Sequence, residues 1–209
     1  MCIQEKQSYL NEIVENIPNK YTDNWDYFEP DVTTEAFKLR EQWIKKGMYA
    51  LVSWQWVKPL VEWMGDRKCL EVMAGRGWLS LALQSLGVNI IATDNYSWIR
   101  ERHWDEPVTE VEELDSVEAV KKYGKDIDLL IISWPYMDDI AYKTIKKLHE
   151  VNPDVQIIYI GENMGGCTAD DEFFEHFREI NNEEFKKVVG KFQSWWGLHD
   201  YICLGRYID

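Results

Sequence analysis

Two carboxylates flank a glycine turn in the stretch KCLEVMAGRGWLSLALQSLGVNIIATDN, which runs from Lys68 to Asn95: Glu71 precedes Gly75 and Gly77, and Asp94 follows them. Glycine has no Cβ, so the backbone at 75 and 77 can turn sharply and let a ligand lie against the main chain where the next helix begins. Asp94 would then face that turn across a crevice, and its two acceptor oxygens suit the vicinal hydroxyls of a ribose. The dinucleotide pattern G-x-G-x-x-G is absent, because Met73 stands where a first glycine is expected and Leu79 and Ser80 follow Trp78. A nucleoside without phosphates fits better than a pyrophosphate. Further along, Asp115 can cap a helix or accept a hydrogen bond from an adenine amino group. Ser133, Trp134, Pro135 and Tyr136 place a polar group and an aromatic face directly after an apolar run. Glu162 follows another such run, as a carboxylate able to bind an amine or orient a water.

These side chains meet only if their elements share one sheet. An apolar run ending at Glu71, a helix over Leu79–Leu86 and a second run over Val88–Ala92 make a strand, helix and parallel strand. Val108–Val111 predicts a short third strand, VEAVKKYG a helix ended by Gly124, Asp128–Ile132 a strand buried on both faces, and QIIYI a fifth strand. Between those last two, Asp138–Leu148 has helical spacing, and Asp170 or Asp171 begins a helix through Phe173, Phe174 and Phe177. Phe185–Phe192 and Tyr201–Tyr207 both read as strands, an antiparallel pair closing the sheet. The loop from Gly161 to Cys167, with Gly165 and Gly166, is expected to be free to close over a ligand. Tyr96 and Trp98 either sandwich a base or pack beneath their loop.

Upstream, residues 4 to 17 spell a peripheral helix stopped by Pro18, and 21 to 31 has no period and reads as a loop. A helix from Glu35 to about Lys46 is closed by Gly47. Residues 49 to 64 read as a helix interrupted by Pro59, its start bringing Tyr49, Ser53 and Trp54 toward the crevice. The expected architecture is α/β, a mostly parallel seven-stranded sheet with helices on both faces. We expect one domain over 1–209, with a helical extension over 1–47 packed on it.

The bulk properties narrow the partners. Lys and Arg total 23 against 37 Asp and Glu, a formal charge of −14, so nucleic acid is disfavoured and a neutral or cationic ligand favoured. No run of about 18 apolar residues occurs, nor a basic start followed by an apolar core, so the expectation is a cytoplasmic protein without a membrane partner. Cys2, Cys69, Cys167 and Cys203 are scattered, as are His103, His149, His176 and His199, which argues against a metal site. His103 and His199 are the histidines placed to act as a base near the ligand.

The glycine turn, the acid after the second strand and the SWPY stretch after the fourth together make the chain resemble the class I S-adenosylmethionine-dependent methyltransferases, over about residues 49 to 207. The resemblance implies a Rossmann-like class I methyltransferase fold and S-adenosylmethionine as cofactor. It implies that Glu71, Gly75 and Gly77 hold the methionine part, that Asp94 with Asn95 beside it holds the ribose, and that Asp115 and Ser116 contact adenine. Ser133 to Tyr136 looks like the motif of the amino-methylating branch, a polar residue followed by two prolines and an aromatic. By that match Ser133 and the Pro135 region accept hydrogen bonds from a substrate amino group and Tyr136 stacks on the plane that carries it. Trp134 replaces the first proline, and Trp134, Glu162 and Tyr49 are candidates to contact the substrate. The resulting expectation is methyl transfer to nitrogen of a small molecule or a protein side chain, with a catalytically inactive binding protein and a nucleic-acid amino-methyltransferase as alternatives. A nicotinamide-dependent oxidoreductase shares the strand-helix-strand unit but needs the phosphate-binding glycines that are missing here.

Overall fold

The computed structural model describes residues 12–21, 30–98 and 106–209. The expectations for residues 4–11, for most of the 21–31 loop and for His103 lie outside that set. Within it the chain runs α1 (Pro30–Lys45), α2 (Trp54–Met64), β1 (Cys69–Val72), α3 (Trp78–Ser85), β2 (Ile90–Asp94) and β3 (Glu112–Glu113). It continues through α4 (Ser116–Tyr123), β4 (Leu129–Ser133), α5 (Ile140–Val151) and β5 (Gln156–Gly161). The last elements are α6 (Asp171–His176), β6 (Phe177–Glu179), α7 (Lys186–Val189) and β7 (Tyr201–Tyr207).

The seven strands form one sheet in the order β3-β2-β1-β4-β5-β7-β6. Strands β1 to β5 pair in parallel and β7 runs antiparallel to both β5 and β6, so the sheet is mixed at one end. This is the class I methyltransferase fold. Alternation along each central strand explains why it is covered on both sides. Leu129, Ile131, Ile158 and Ile160 pack with Trp56 and Leu60 of α2 on one face. Leu130, Ile132, Ile157 and Tyr159 pack with Val120 of α4 and Ile145 of α5 on the other. No helix among the described residues is long and apolar enough to cross a membrane.

The N-terminal segment is tied to the far end of the chain. Ile17 and Tyr21 are buried, and the Gln193 side-chain amide accepts from the Tyr21 N–H at 3.0 Å while donating back to the Tyr21 carbonyl. Ser53 Oγ donates to the same Gln193 oxygen at 2.9 Å, and the Trp54 N–H to the Pro18 carbonyl at 2.9 Å.

Four expected elements are corrected. Residues 185 to 192 are not a strand: α7 occupies Lys186–Val189, with Asn182 Oδ1 accepting from the Phe185 N–H at 2.9 Å at its start. The partner of β7 is instead the three-residue β6, into which the helix expected to run through Phe177 passes with no turn residue between. The third strand lies at Glu112–Glu113, just beyond Val108–Val111, because the register sets Thr93 opposite Glu112 and Asp94 opposite Glu113. Finally, Tyr49 to Val52 are not helical, and α2 begins only after Ser53.

Candidate functional site

The parallel strands all end at one edge of the sheet, and the loops leaving β1, β2 and β4 enclose a cavity of about 750 Å³. Such an edge is where open α/β sheets bind ligands, because strand ends and helix starts point their free polar groups into the same crevice. Glu71, Met73 and Gly75 line the cavity from β1 and its turn, Asp94 and Asn95 from β2, and Asp115 and Ser116 from the start of α4. Ser133 lines it from the end of β4, Trp134, Pro135 and Tyr136 from just beyond, and Tyr49 from the segment before α2. Four sequence candidates from these elements stand apart: none of Ser53, Trp54, Gly77 and Glu162 lines this cavity.

Backbone conformation explains why the two glycines differ. Gly75 has φ 55° and open space where a Cβ would project, and its N–H donates to Asp94 Oδ2 at 2.7 Å. It bares main chain to the cavity. Gly77 has φ 80°, and a Cβ there would fall 2.8 Å from Val111 Cγ2 and 2.9 Å from Thr109 Cγ2. Its lack of a side chain serves packing against the chain that leads into β3, and its carbonyl accepts the first helical bond of α3, from the Leu81 N–H at 2.8 Å.

Left-handed backbone outside glycine is confined to Met73, Tyr96, Trp134 and Ala169 among the described residues. Three of these directly follow, or lie two residues past, the ends of β1, β2 and β4. Each costs conformational energy that surrounding contacts must hold. Met73 (φ 55°) keeps the turn a glycine would make without being one. Trp134 (φ 54°) is a sharper departure, since proline is confined to φ near −65° and cannot adopt this conformation. The turn after β4 is therefore built differently from a two-proline turn, and the Trp134 N–H uses the difference by donating to the Ile160 carbonyl at 2.8 Å.

Asp94 ties three loops together. Its Oδ2 accepts from the Gly75 N–H, while Oδ1 accepts from the Tyr96 N–H at 2.7 Å and from Trp98 Nε1 at 2.9 Å. Burial raises its pKa against the opposing effect of those three donors. One lone pair on Oδ2 faces no protein donor in this set. Tyr96 and Trp98 do not form a sandwich: they meet edge to face at 5.6 Å, Tyr96 donates its hydroxyl to the Val111 carbonyl at 2.6 Å, and only Trp98 lines the cavity.

Glu71 is 2% exposed and accepts from the Ser80 hydroxyl. Burial pushes its pKa up to about 7; the Ser80 hydrogen bond opposes the rise and the neighbouring Asp94 charge adds to it. Between the ordinary value of 4.5 and about 7 the folded protein keeps a proton here that the unfolded chain releases. The stability contributed is thus complete below pH 4.5 and is lost as pH rises through 7. Glu71→Gln should flatten that part of the stability profile by up to about 3 kcal/mol, measured by urea unfolding across the pH range. A slope from Asp200, raised by burial to about 6, should remain.

The remaining candidates have other occupations. Asp115 caps α4 by accepting from the Val117 N–H at 2.9 Å, and Ser116 Oγ pairs with Thr144 Oγ1 at 2.7 Å. Glu162 closes its own loop, Oε2 accepting from the Cys167 N–H at 2.8 Å and Oε1 from the His199 N–H at 3.3 Å. Thr168 Oγ1 accepts from the Glu162 N–H at 2.9 Å and pairs with the Tyr159 hydroxyl at 2.7 Å. A loop expected to be free to close is thus knotted by side-chain hydrogen bonds, and it presents Cys167 to the cavity. His199 is exposed, His149 and His176 stack on Tyr207, and none of the three lines the cavity.

Arg76, hidden in the glycine turn and passed over in the sequence, holds the site together. Its guanidinium donates to the Glu106 carbonyl at 2.7 and 3.0 Å and to the Lys46 carbonyl at 2.8 Å, and Trp78 Nε1 also reaches Lys46 at 2.8 Å. These bonds bring the end of α1, and with it Tyr49, across to the β1 side of the cavity. An arginine between the two glycines is the trace this left in the sequence, and its burial is visible only in the structure.

No protein-family model matches the chain, and no curated protein matches it. Among solved structures it is similar to a TehB-like SAM-dependent methyltransferase from Corynebacterium glutamicum, with TM-score 0.51 and 13% identity over 84% of this chain and 99% of that one. Another is the 1,6-didemethyltoxoflavin-N1-methyltransferase of Burkholderia thailandensis, solved with 1,6-didemethyltoxoflavin and S-adenosylhomocysteine bound. There the TM-score is 0.48, at 13% identity over 100% of this chain and 92% of that one. At such identities the likeness is one of fold.

Proposed function

We propose that this chain is an S-adenosylmethionine-dependent methyltransferase acting on a nitrogen of a small molecule or a protein side chain. The observation that carries the reading is convergence. Gly75 and Asp94, the pair suited to a nucleoside, line the same cavity as Ser133 and Tyr136, the pair suited to an amino group. In a relative that only binds, side chains would fill the space above Ser133; here that space is part of the cavity. The residues also fit the cofactor chemically. Gly75 leaves room where a Cβ would stand, Asp94 Oδ2 keeps an acceptor site, and Glu71 is poised near pH 7 to take up negative charge beside a cation.

Bound there, S-adenosylmethionine supplies an electrophilic methyl on a positively charged sulfur, so the protein needs little acid-base machinery. The chain's own task is to hold and align. Glu71 and the Gly75 main chain would take the methionine end, Asp94 the ribose, and Asp115 with Ser116 the adenine edge. Ser133 would accept a hydrogen bond from the acceptor N–H and Tyr136 would cover the plane that carries it, fixing approach direction and excluding water.

The test is binding before turnover. S-Adenosylhomocysteine at a hundred times its Kd should stabilise the fold by about 2.7 kcal/mol, a rise of roughly 5–10 °C in Tm for a chain of this size, while NAD at equal concentration should give none. A shift with NAD alone would replace this reading with the oxidoreductase one.

A further inference from the structure

The methyl acceptor can be narrowed from the wall it would meet. Tyr49 and Trp134, both lining the cavity, stack with ring centroids 5.3 Å apart and 28° between planes. Beside them Tyr136 and Met137 remain 47% and 66% exposed although large and apolar, on the same cavity mouth. Large apolar side chains left open around a cavity mark a surface that a ligand covers. Asp138 and Asp139 follow at once on that mouth. Asp138 accepts from the Ile140 N–H at 3.1 Å, while Asp139 pairs with Lys143 at 2.6 Å at the surface.

Behind this wall lies a buried acid that nothing so far has used. Asp200, immediately before β7, is 9% exposed, and neither of its oxygens has a hydrogen-bond partner among the described residues. The indole Nε1 of Trp134 is likewise buried and without a partner. Buried polar groups are rarely left so. The two lie on adjoining segments, since the Trp134 backbone N–H donates to the Ile160 carbonyl and Gly161 pairs with Tyr201, the residue after Asp200, and the Trp134 indole and the Ser194 hydroxyl both favour the ionised form of Asp200. Negative charge at the N–H edge of an indole enriches its ring face in electrons, and an electron-rich face attracts cations.

Resting on the methyltransferase reading, we propose that the acceptor site takes an amine carried on an apolar or aromatic body and receives it as the ammonium; the nitrogen then loses its proton to solvent before its lone pair bonds the methyl carbon, the electrons of the broken carbon–sulfur bond staying on sulfur as a neutral thioether. The ammonium is received by the Tyr49–Trp134 wall with Asp200 behind it and Asp138 at the mouth. Anionic compounds of the same shape are repelled by the same groups.

Three probes of one skeleton test this: 2-phenylethylamine, 2-phenylethanol and phenylacetate, titrated calorimetrically into the protein saturated with S-adenosylhomocysteine. The amine should bind at least tenfold more tightly than the alcohol or the acid, and Asp200→Asn should reduce that preference at least threefold. Where Asp200→Asn fails to fold, Asp138→Asn, on the exposed mouth, should show the same direction. Equal affinities, a preference for the acid, or no heat from the amine at millimolar concentration overturns the proposal while leaving cofactor binding intact. Absence of heat from S-adenosylhomocysteine itself removes the cofactor reading instead. An unchanged preference in both variants overturns the part given to the carboxylates.

Discussion

Asp94→Ala should lower affinity for S-adenosylhomocysteine by tenfold to a hundredfold. One hydrogen bond from a ribose hydroxyl to the Oδ2 site that the protein leaves open is worth about 1.5–3 kcal/mol, which is roughly ten- to a hundredfold in Kd. The structure adds a second cost. The Gly75 N–H, the Tyr96 N–H and Trp98 Nε1 all donate to this carboxylate, so alanine leaves three donors without their acceptor and loosens the turns after β1 and β2. Asp94→Asn keeps one acceptor oxygen and the shape of the side chain but turns an NH2 group toward at least one of the three donors, so it should be less destabilised than the alanine variant while still binding markedly less tightly than the parent. Calorimetry that finds the alanine variant binding with parental affinity would reject the assignment of this residue to the nucleoside.

Trp134→Pro should destabilise the protein by about 4 kcal/mol or more, even though proline is what the resembled motif carries at that place. The residue sits at φ 54°, which proline cannot reach, and its N–H donates to the Ile160 carbonyl at 2.8 Å, a bond proline cannot make. The substitution also removes the ring stacked on Tyr49. A fall in the urea midpoint is the expected outcome; a variant as stable as the parent would mean that the turn after β4 relaxes readily to the two-proline form. Trp134→Phe, which keeps a ring and the backbone N–H, should recover most of the loss.

Several parts of this molecule were legible in the chain because local chemistry and tertiary role agree. The strand, turn and helix from Cys69 to Ser85 followed from an apolar run, two glycines and helical spacing, and each of those features also packs the sheet. The segment over 185 to 192 was misread although the signal was present. Phe185, Val188, Val189 and Phe192 recur at helical spacing, and Asn182 stands three residues ahead of Phe185 as a cap. Aromatic and β-branched content pointed to a strand, and the period pointed to a helix. The period prevailed because Phe185 and Val188 must both turn inward against the core, where Phe185 meets Trp63 at 4.8 Å.

By itself the amino-acid order determined that this chain makes an α/β sheet with polar groups gathered at the ends of its first, second and fourth strands, since alternation, glycines and terminal polar residues are local properties. Only the tertiary structure decided which of those polar groups face a common space. It placed Gly77 against Thr109 and Val111, turned Glu162 onto its own loop, and brought Asp200 to the segment beside Trp134, 66 residues away in sequence, by pairing Gly161 with Tyr201. The physical reason is that the direction of a side chain at a strand end depends on loop backbone and long-range packing. A left-handed tryptophan or a carbonyl held by a distant arginine leaves almost no mark in residue type or spacing.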